Sequence, residues 1–217
     1  MAKLQYGMIG GGPGAFIGAA HRKALAMDAK AELVAGCFSR THEKTLETGQ
    51  RFGIEADRCY TDFKEMAKSE AAREDGIDFV VITTPNSSHY DAAKAFLEAG
   101  INVVCAKHVT TKLETALELK KLAEEKDLLF MVAYTYTGHV TAKNIRAIIK
   151  AGEIGEVRTV MGEYPQGWLA FENDHGGKQG AWRTDPDLSG RTNALGDIGT
   201  HIENMVATMT GLKIKKV

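Results

Sequence analysis

Cysteine is scarce in this chain. The 217 residues hold three, Cys37, Cys59 and Cys105, and their spacing is not that of a metal site. Two of them sit inside apolar runs that read as buried strands, where a thiol behaves as a small hydrophobe. No disulfide framework is expected, and a reducing cytoplasm is the natural setting. Net charge is nearly absent too, at −1 for the whole sequence. That argues against a nucleic-acid or anionic-membrane partner. No uninterrupted apolar run is long enough to span a bilayer. The N-terminus lacks a basic stretch followed by an apolar core, so no secretory signal is expected. Internal repeats and low-complexity tracts are missing as well. What remains is an ordinary soluble composition, with room for one large domain or for one domain and part of another.

The most informative stretch present is Tyr6-Gly7-Met8-Ile9-Gly10-Gly11-Gly12-Pro13-Gly14-Ala15-Phe16-Ile17. An apolar run (Leu4, Tyr6, Met8, Ile9) enters a glycine cluster. Residues at helical spacing follow (Phe16, Ala19, Ala20, Leu25). The pattern predicts strand, turn and helix. The turn fits G-x-G-x-x-A through Gly10, Gly12 and Ala15. Gly10 permits the tight turn, Gly12 lets the backbone approach a pyrophosphate, and Ala15 lets helix pack on strand. The helix start, with Phe16 and Ile17, offers N–H groups and a positive dipole end to phosphate. Glycine-rich turns are common by themselves; the strand and helix flanking this one favour a dinucleotide.

Up to residue 134 the chain alternates strand and helix. Strands are expected at Glu32–Phe38, Phe79–Thr83, Asn102–Ala106 and Leu128–Ala133. Helices are expected at His42–Phe52, at Asp62–Ala72 with Asp62 as N-cap, and at Ser88–Ala99. Another runs from a capping box at Thr111-Lys112-Leu113-Glu114 to about Lys126. Repeated βα units build a parallel sheet covered on both faces. Residues 1–134 are therefore read as one domain and 135–217 as a second. The latter offers a helix at Val140–Ala151, a strand at Glu156–Tyr164, and an irregular stretch from Pro165 to Ala194 containing Trp168 and Trp182. A helix follows at Asp197–Thr210, and a strand begins at Ile214–Val217.

Three constellations could do chemistry. Thr84, Asn86 and His89 follow the strand Phe79–Thr83, at the carboxyl edge where doubly wound sheets bind ligands. A plain helix start capped by Asn86 or Ser87 explains the same residues. Lys107 ends the strand Asn102–Ala106. It either faces solvent or, in a cleft, donates a hydrogen bond to a substrate oxygen. Asp197 and His201 stand four apart on one helix, either as a surface pair or as a carboxylate-held imidazole for acid–base work. No third ligand accompanies them, so no metal is expected. After the second strand comes Ser39-Arg40 where NAD enzymes usually place an acid. A hydroxyl and a guanidinium suit a 2′-phosphate, which favours NADP over NAD.

Taken together, these residues resemble the glucose–fructose oxidoreductase/inositol dehydrogenase/MocA-like family. The likeness runs through Gly10–Ile17 with His21-Arg22, Thr84-Pro85-Asn86 with His89, and Val104-Cys105-Ala106-Lys107. It continues through Ala151–Val157, Ala181-Trp182-Arg183 and Leu195–His201. The resemblance implies an α/β protein whose N-terminal Rossmann domain is a doubly wound parallel sheet. An α+β domain with an open, mostly antiparallel sheet would follow, truncated here because family members are longer. A homo-oligomer or a further C-terminal segment would complete that sheet. The implied activity is NAD(P)-dependent oxidation or reduction of sugars, cyclitols or related alcohols. Lys107, Asp197 and His201 would be catalytic, with Trp182-Arg183 near the nicotinamide or substrate. Two further departures stand out. The family's Glu-Lys-Pro is Ala106-Lys107-His108, and its glycine run before the Asp is Ser189–Asn193. The competing reading is a non-catalytic or truncated dinucleotide-binding protein acting as a redox sensor.

Overall fold

The computed structural model describes residues 3–167, 170–171 and 178–216. It divides into two compact units, residues 1–132 and 133–217.

The first unit holds one five-stranded sheet. Its strands are β1 (Leu4–Gly10), β2 (Ala31–Cys37), β3 (Phe79–Thr83), β4 (Asn102–Ala106) and β5 (Phe130–Ala133), in the order β2-β1-β3-β4-β5. The pairs β1·β2, β1·β3 and β3·β4 are parallel. The order reverses between β1 and β3, so the crevice at a topological switch point opens beyond Gly10 and Thr83, which are register partners.

Strand alternation builds the core. Tyr6, Met8 and Val81 enter one apolar cluster, joined by Phe79 and Val104. Ile9, Val80, Ile82, Val103 and Cys105 enter the other. Residues of opposite parity on one strand thus serve opposite faces. The helices α1 (Phe16–Met27), α2 (His42–Phe52), α3 (Phe63–Ala71), α4 (His89–Glu98) and α5 (Leu113–Glu125) supply the cover. Leu25 of α1 packs on the first cluster, while Met66, Phe96, Leu97 and Leu119 enter the second. Met66, Phe96, Leu97 and Leu119 are fully buried, and each contributes about 1.5–3 kcal/mol. The three cysteines are buried free thiols, and burial first, then Asp62 and Glu65, pushes Cys37 up to about 11.

Asp62 caps α3 as expected, accepting from the amides of Lys64 at 2.6 Å and Glu65 at 3.1 Å. The capping box at Thr111 does not form. Helix α5 starts at Leu113 after an N-cap, Lys112, whose side chain makes no capping bond. The hydroxyl of Thr110 turns the chain instead, donating to the Lys112 carbonyl at 2.6 Å.

The second unit contains α6 (Val140–Lys150), α7 (Lys178–Arg183), α8 (Pro186–Ser189), a π-helical turn at Leu195–Gly199 and α9 (Thr200–Thr210). The stretch expected to be irregular from Pro165 therefore carries two short helices; Trp168 lies outside the described residues. Among the described residues this unit has no strand, so the antiparallel sheet is not seen. Residues 156–164 and 214–216 pair with nothing described. Alternating apolar residues make a strand only where a neighbour takes up the backbone N–H and C=O groups. Val160 and Met161 stay exposed. No described helix is long and apolar enough to cross a membrane.

Candidate functional site

The glycine turn closes where β1 ends. Gly10 and Gly11 both have left-handed backbones, with φ of 73° and 70°. The helix approaches the turn closely at Gly18. A Cβ there would lie 2.3 Å from the Cα of Gly11, and both residues are buried. Ala15 is the half-buried N-cap of α1, donating its amide to the Gly12 carbonyl at 3.0 Å. Gly18 is a close-packing position that the motif reading did not name.

That helix start has no side-chain cap and no acid in its first turn. The amides at this helix start have no intrahelical acceptor, and the first turn holds no carboxylate to repel an anion. A Cβ on Gly12 would meet Phe38 at 3.6 Å and Thr48 at 3.9 Å, ordinary contacts, so glycine leaves a methyl-sized gap there. Turn and helix start therefore fit a diphosphate.

Arg22 braces the turn. Its guanidinium donates to the Gly11 carbonyl and lies 4.1 Å above the Phe52 ring. Phe52 in turn meets Phe38 edge-on at 5.4 Å. The aromatic pair and the bracing role of Arg22 had no signal in the glycine pattern itself. After β2, the Ser39 hydroxyl accepts from the Thr41 amide at 3.2 Å, while the Ser39 carbonyl accepts from Thr45 at 3.0 Å. Ser39 is thus tied into its own turn, and Arg40 beside it is exposed.

On the far side of the switch point, Thr83 donates to the Ile9 carbonyl at 3.0 Å, joining β3 to β1. Thr84 accepts from Ser88 at 2.7 Å, and Asn86 is buried in the turn that leads into α4. His89 departs from expectation. It is fully buried, with Nδ1 2.8 Å from the His108 carbonyl and Nε2 2.8 Å from the Thr84 carbonyl. Both ring nitrogens are occupied by main chain, so His89 has no polar edge to offer a cofactor. Lys107 directly follows β4 and is half-buried.

In the second unit, Asp197 lies on the π-helical turn and His201 on the first turn of α9. Such turns are frequent where a helix presents functional groups. Asp197 forms an ion pair with Arg183 at 3.4 Å, both side chains being largely buried. The Arg183 guanidinium also lies 4.2 Å over the Trp182 ring. Asp197, Arg183 and Trp182 thus form one contact chain, a grouping the sequence reading did not anticipate. His201 is 7% exposed and sits against two tyrosines that sequence reading passed over. The Tyr136 ring is 4.6 Å from the imidazole and the Tyr134 ring 5.7 Å, both edge-on. Tyr136 and Tyr164 share a hydrogen bond of 2.6 Å. That bond, then burial and the charge of Asp197, pushes Tyr136 up to about 12, so its phenol keeps its proton. Burial likewise raises Tyr134. The only available signal was the repetition Tyr134-Thr135-Tyr136 just after β5, which no motif distinguishes from core filling.

Two family profiles cover these parts. The oxidoreductase family profile described as a GFO/IDH/MocA NAD-binding Rossmann fold matches residues 4–134. The GFO/IDH/MocA C-terminal domain matches residues 142–217. The chain belongs to the GFO/IDH/MocA oxidoreductase family. It is 38% identical over 99% of its length to the uncharacterized oxidoreductase YfiI of Bacillus subtilis, covering 55% of that protein. It is 30% identical over 97% of its length to levoglucosan dehydrogenase of Pseudarthrobacter phenanthrenivorans, covering 52%. An inositol dehydrogenase homolog from Azotobacter vinelandii, solved with NAD+, superposes with a TM-score of 0.93 at 36% identity. That match covers 97% of this chain and 54% of the other. The chain thus spans about half the length of these relatives.

Proposed function

We propose that this GFO/IDH/MocA protein binds NAD(P) against the turn Gly10–Ala15 and interconverts an alcohol and a carbonyl on a sugar, cyclitol or related polyol. The observation that carries the reading is the uncapped, acid-free start of α1 after the left-handed glycines Gly10 and Gly11. The names of its relatives, a levoglucosan dehydrogenase and an inositol dehydrogenase homolog bound to NAD+, support the substrate class and the cofactor. Residues 1–134 carry the cofactor in this reading, and 135–217 belong to the substrate side.

Backbone amides of Phe16 and Ile17 hold the diphosphate. Thr84 and Asn86 line the crevice beyond β3. A bound nicotinamide supplies the hydride acceptor or donor. His201 takes the alcohol proton on Nε2 or Nδ1, and its two tyrosine walls keep water from the ring. Asp197 offsets the imidazolium charge, and Arg183 holds Asp197 in place. The Lys107 ammonium donates a hydrogen bond to the reacting oxygen. Arg40, exposed after β2, pairs with a 2′-phosphate and favours NADP.

The competing reading, a dinucleotide sensor without turnover, draws on Ala106, which puts a methyl where the family has a carboxylate. One set of titrations separates them. Binding of NADPH and NADH is followed by nicotinamide fluorescence, then turnover is sought with a panel of sugars and cyclitols. Turnover that Lys107→Ala and His201→Ala each abolish supports the dehydrogenase. Tight binding without turnover supports the sensor. Arg40→Ala is expected to weaken NADPH about tenfold and leave NADH unchanged, as loss of one charge-assisted contact requires. Equal weakening of both coenzymes removes the case for NADP.

A further inference from the structure

Thr84 and Lys107 stand on different turns, one after β3 and one after β4. The ladder between these strands ends at Ile82 and Cys105. Beyond that pair, strand hydrogen bonds no longer set the distance between the turns.

His89 crosses this gap. Its side chain begins at the first residue of α4, has no exposure, and reaches the Thr84 carbonyl on one side and the His108 carbonyl on the other, both at 2.8 Å. We propose that His89 is a positioning residue whose imidazole bolts the turn after β3 to the turn after β4, and so fixes where Lys107 stands relative to Thr84.

The chemistry of the ring suits that task. Its two nitrogens lie on opposite edges of a rigid plane, so the separation of the two carbonyls is set by the ring rather than by a flexible chain. Both partners are carbonyl oxygens, so the neutral ring donates to one of them and only the protonated ring donates to both. A side-chain amide, with both protons on one nitrogen, cannot span them. A fully buried polar ring is retained only where its hydrogen bonds repay its desolvation. Burial lowers the pKa of this ring while the two carbonyl bonds raise it, with the nearby charges of His108 and Lys107 lowering it further. The ring is thus held by the two turns it joins. This inference rests on the reading of those turns as part of the dinucleotide site.

The test compares His89→Gln with Leu119→Ala in the full chain. Leu119 is a fully buried core residue of α5 outside the site and serves as a control for general destabilisation. Two readouts are taken: backbone amide shifts of residues 84–88 and 107–110, and the dissociation constant of NADH. His89→Gln is expected to shift amides in both turns and to weaken NADH about tenfold, the loss of one buried hydrogen bond. Leu119→Ala is expected to lower stability and move neither readout. Shifts confined to one turn, or NADH binding unchanged in His89→Gln, overturn the proposal. If the unaltered chain binds neither NADH nor NADPH, the dinucleotide reading fails by itself. The amide shifts then decide the bolt: both turns moving sustains it, one turn moving ends it. If His89→Gln does not fold, nuclear Overhauser contacts of the His89 ring in the unaltered chain replace it. Contacts to both Thr84 and His108 sustain the bolt, and contacts to one alone end it.

Discussion

The two units of this chain differ in how their backbone is satisfied. In the first, each of the five strands has a neighbour within the unit, and the side chains between sheet and helices are largely sealed from water. In the second, residues 156–164 have no described strand partner, and Val140, Ile154, Met161 and Ile214 are left exposed. The difference shows where stability resides. A βα repeat delivers each strand's partner from nearby sequence. The second unit instead brings together a polar cluster of Asp197, Arg183, His201 and the tyrosines.

The largest way to break this contrast lies under the sheet of the first unit. Glu70, fully buried, accepts from Arg58 Nε at 3.2 Å and from the Tyr60 hydroxyl at 2.9 Å, and Arg58 is itself 6% exposed. Glu70→Ala removes the buried carboxylate from this guanidinium, leaving it Gln5 and the more exposed Asp75. A loss of about 3–5 kcal/mol in denaturant unfolding is expected for the first unit. A loss below about 1 kcal/mol means that water reaches Arg58 and the unit is less sealed than its geometry implies.

A paired truncation sharpens the comparison. Leu97→Ala empties a fully buried site in the first unit and is expected to cost about 2–5 kcal/mol. Ile148→Ala on α6 removes a side chain that is 39% exposed, and about 1 kcal/mol or less is expected. Equal costs in chemical denaturation would show that α6 is covered by something in solution.

The smallest effect is one of pH. Burial holds His21 below the ordinary imidazole value of 6.5. Folded, this ring resists protonation; unfolded, it titrates normally. The unfolded chain therefore binds more protons below that value, and the contribution of His21 is present above it and lost as pH falls. Thermal unfolding of the first unit is expected to weaken from pH 7 towards pH 5, with a shallower slope in His21→Leu. A slope identical in that variant would assign the acid sensitivity elsewhere.

Much of the first unit was legible because its determinants are local. Alternation along Phe79–Thr83, the Asp62 cap and the glycine turn each express sterics or hydrogen bonding within a few residues. The boundaries of β3 and β4 match the sequence expectation, and Lys107 follows β4 as expected. Thr111 failed as a cap because Thr110 competed for the same turn. Gly18, one helical turn beyond Ala15, packs tightly on Gly11 and was not singled out because the motif does not name it. In the second unit, Glu156–Tyr164 has strand composition but no described partner, and composition cannot supply one.

Sequence by itself determined that a left-handed glycine turn joins β1 to α1, since no side chain tolerates that backbone in so small a space. It also determined the βα alternation, through apolar period and breakers. Only tertiary structure decided that His89 serves two carbonyls 19 and 5 residues away along the chain, that Arg183 pairs with Asp197, and that tyrosines enclose His201. Those contacts join residues far apart in sequence, and their energy comes from burial and hydrogen-bond geometry that exist only once the chain has closed on itself.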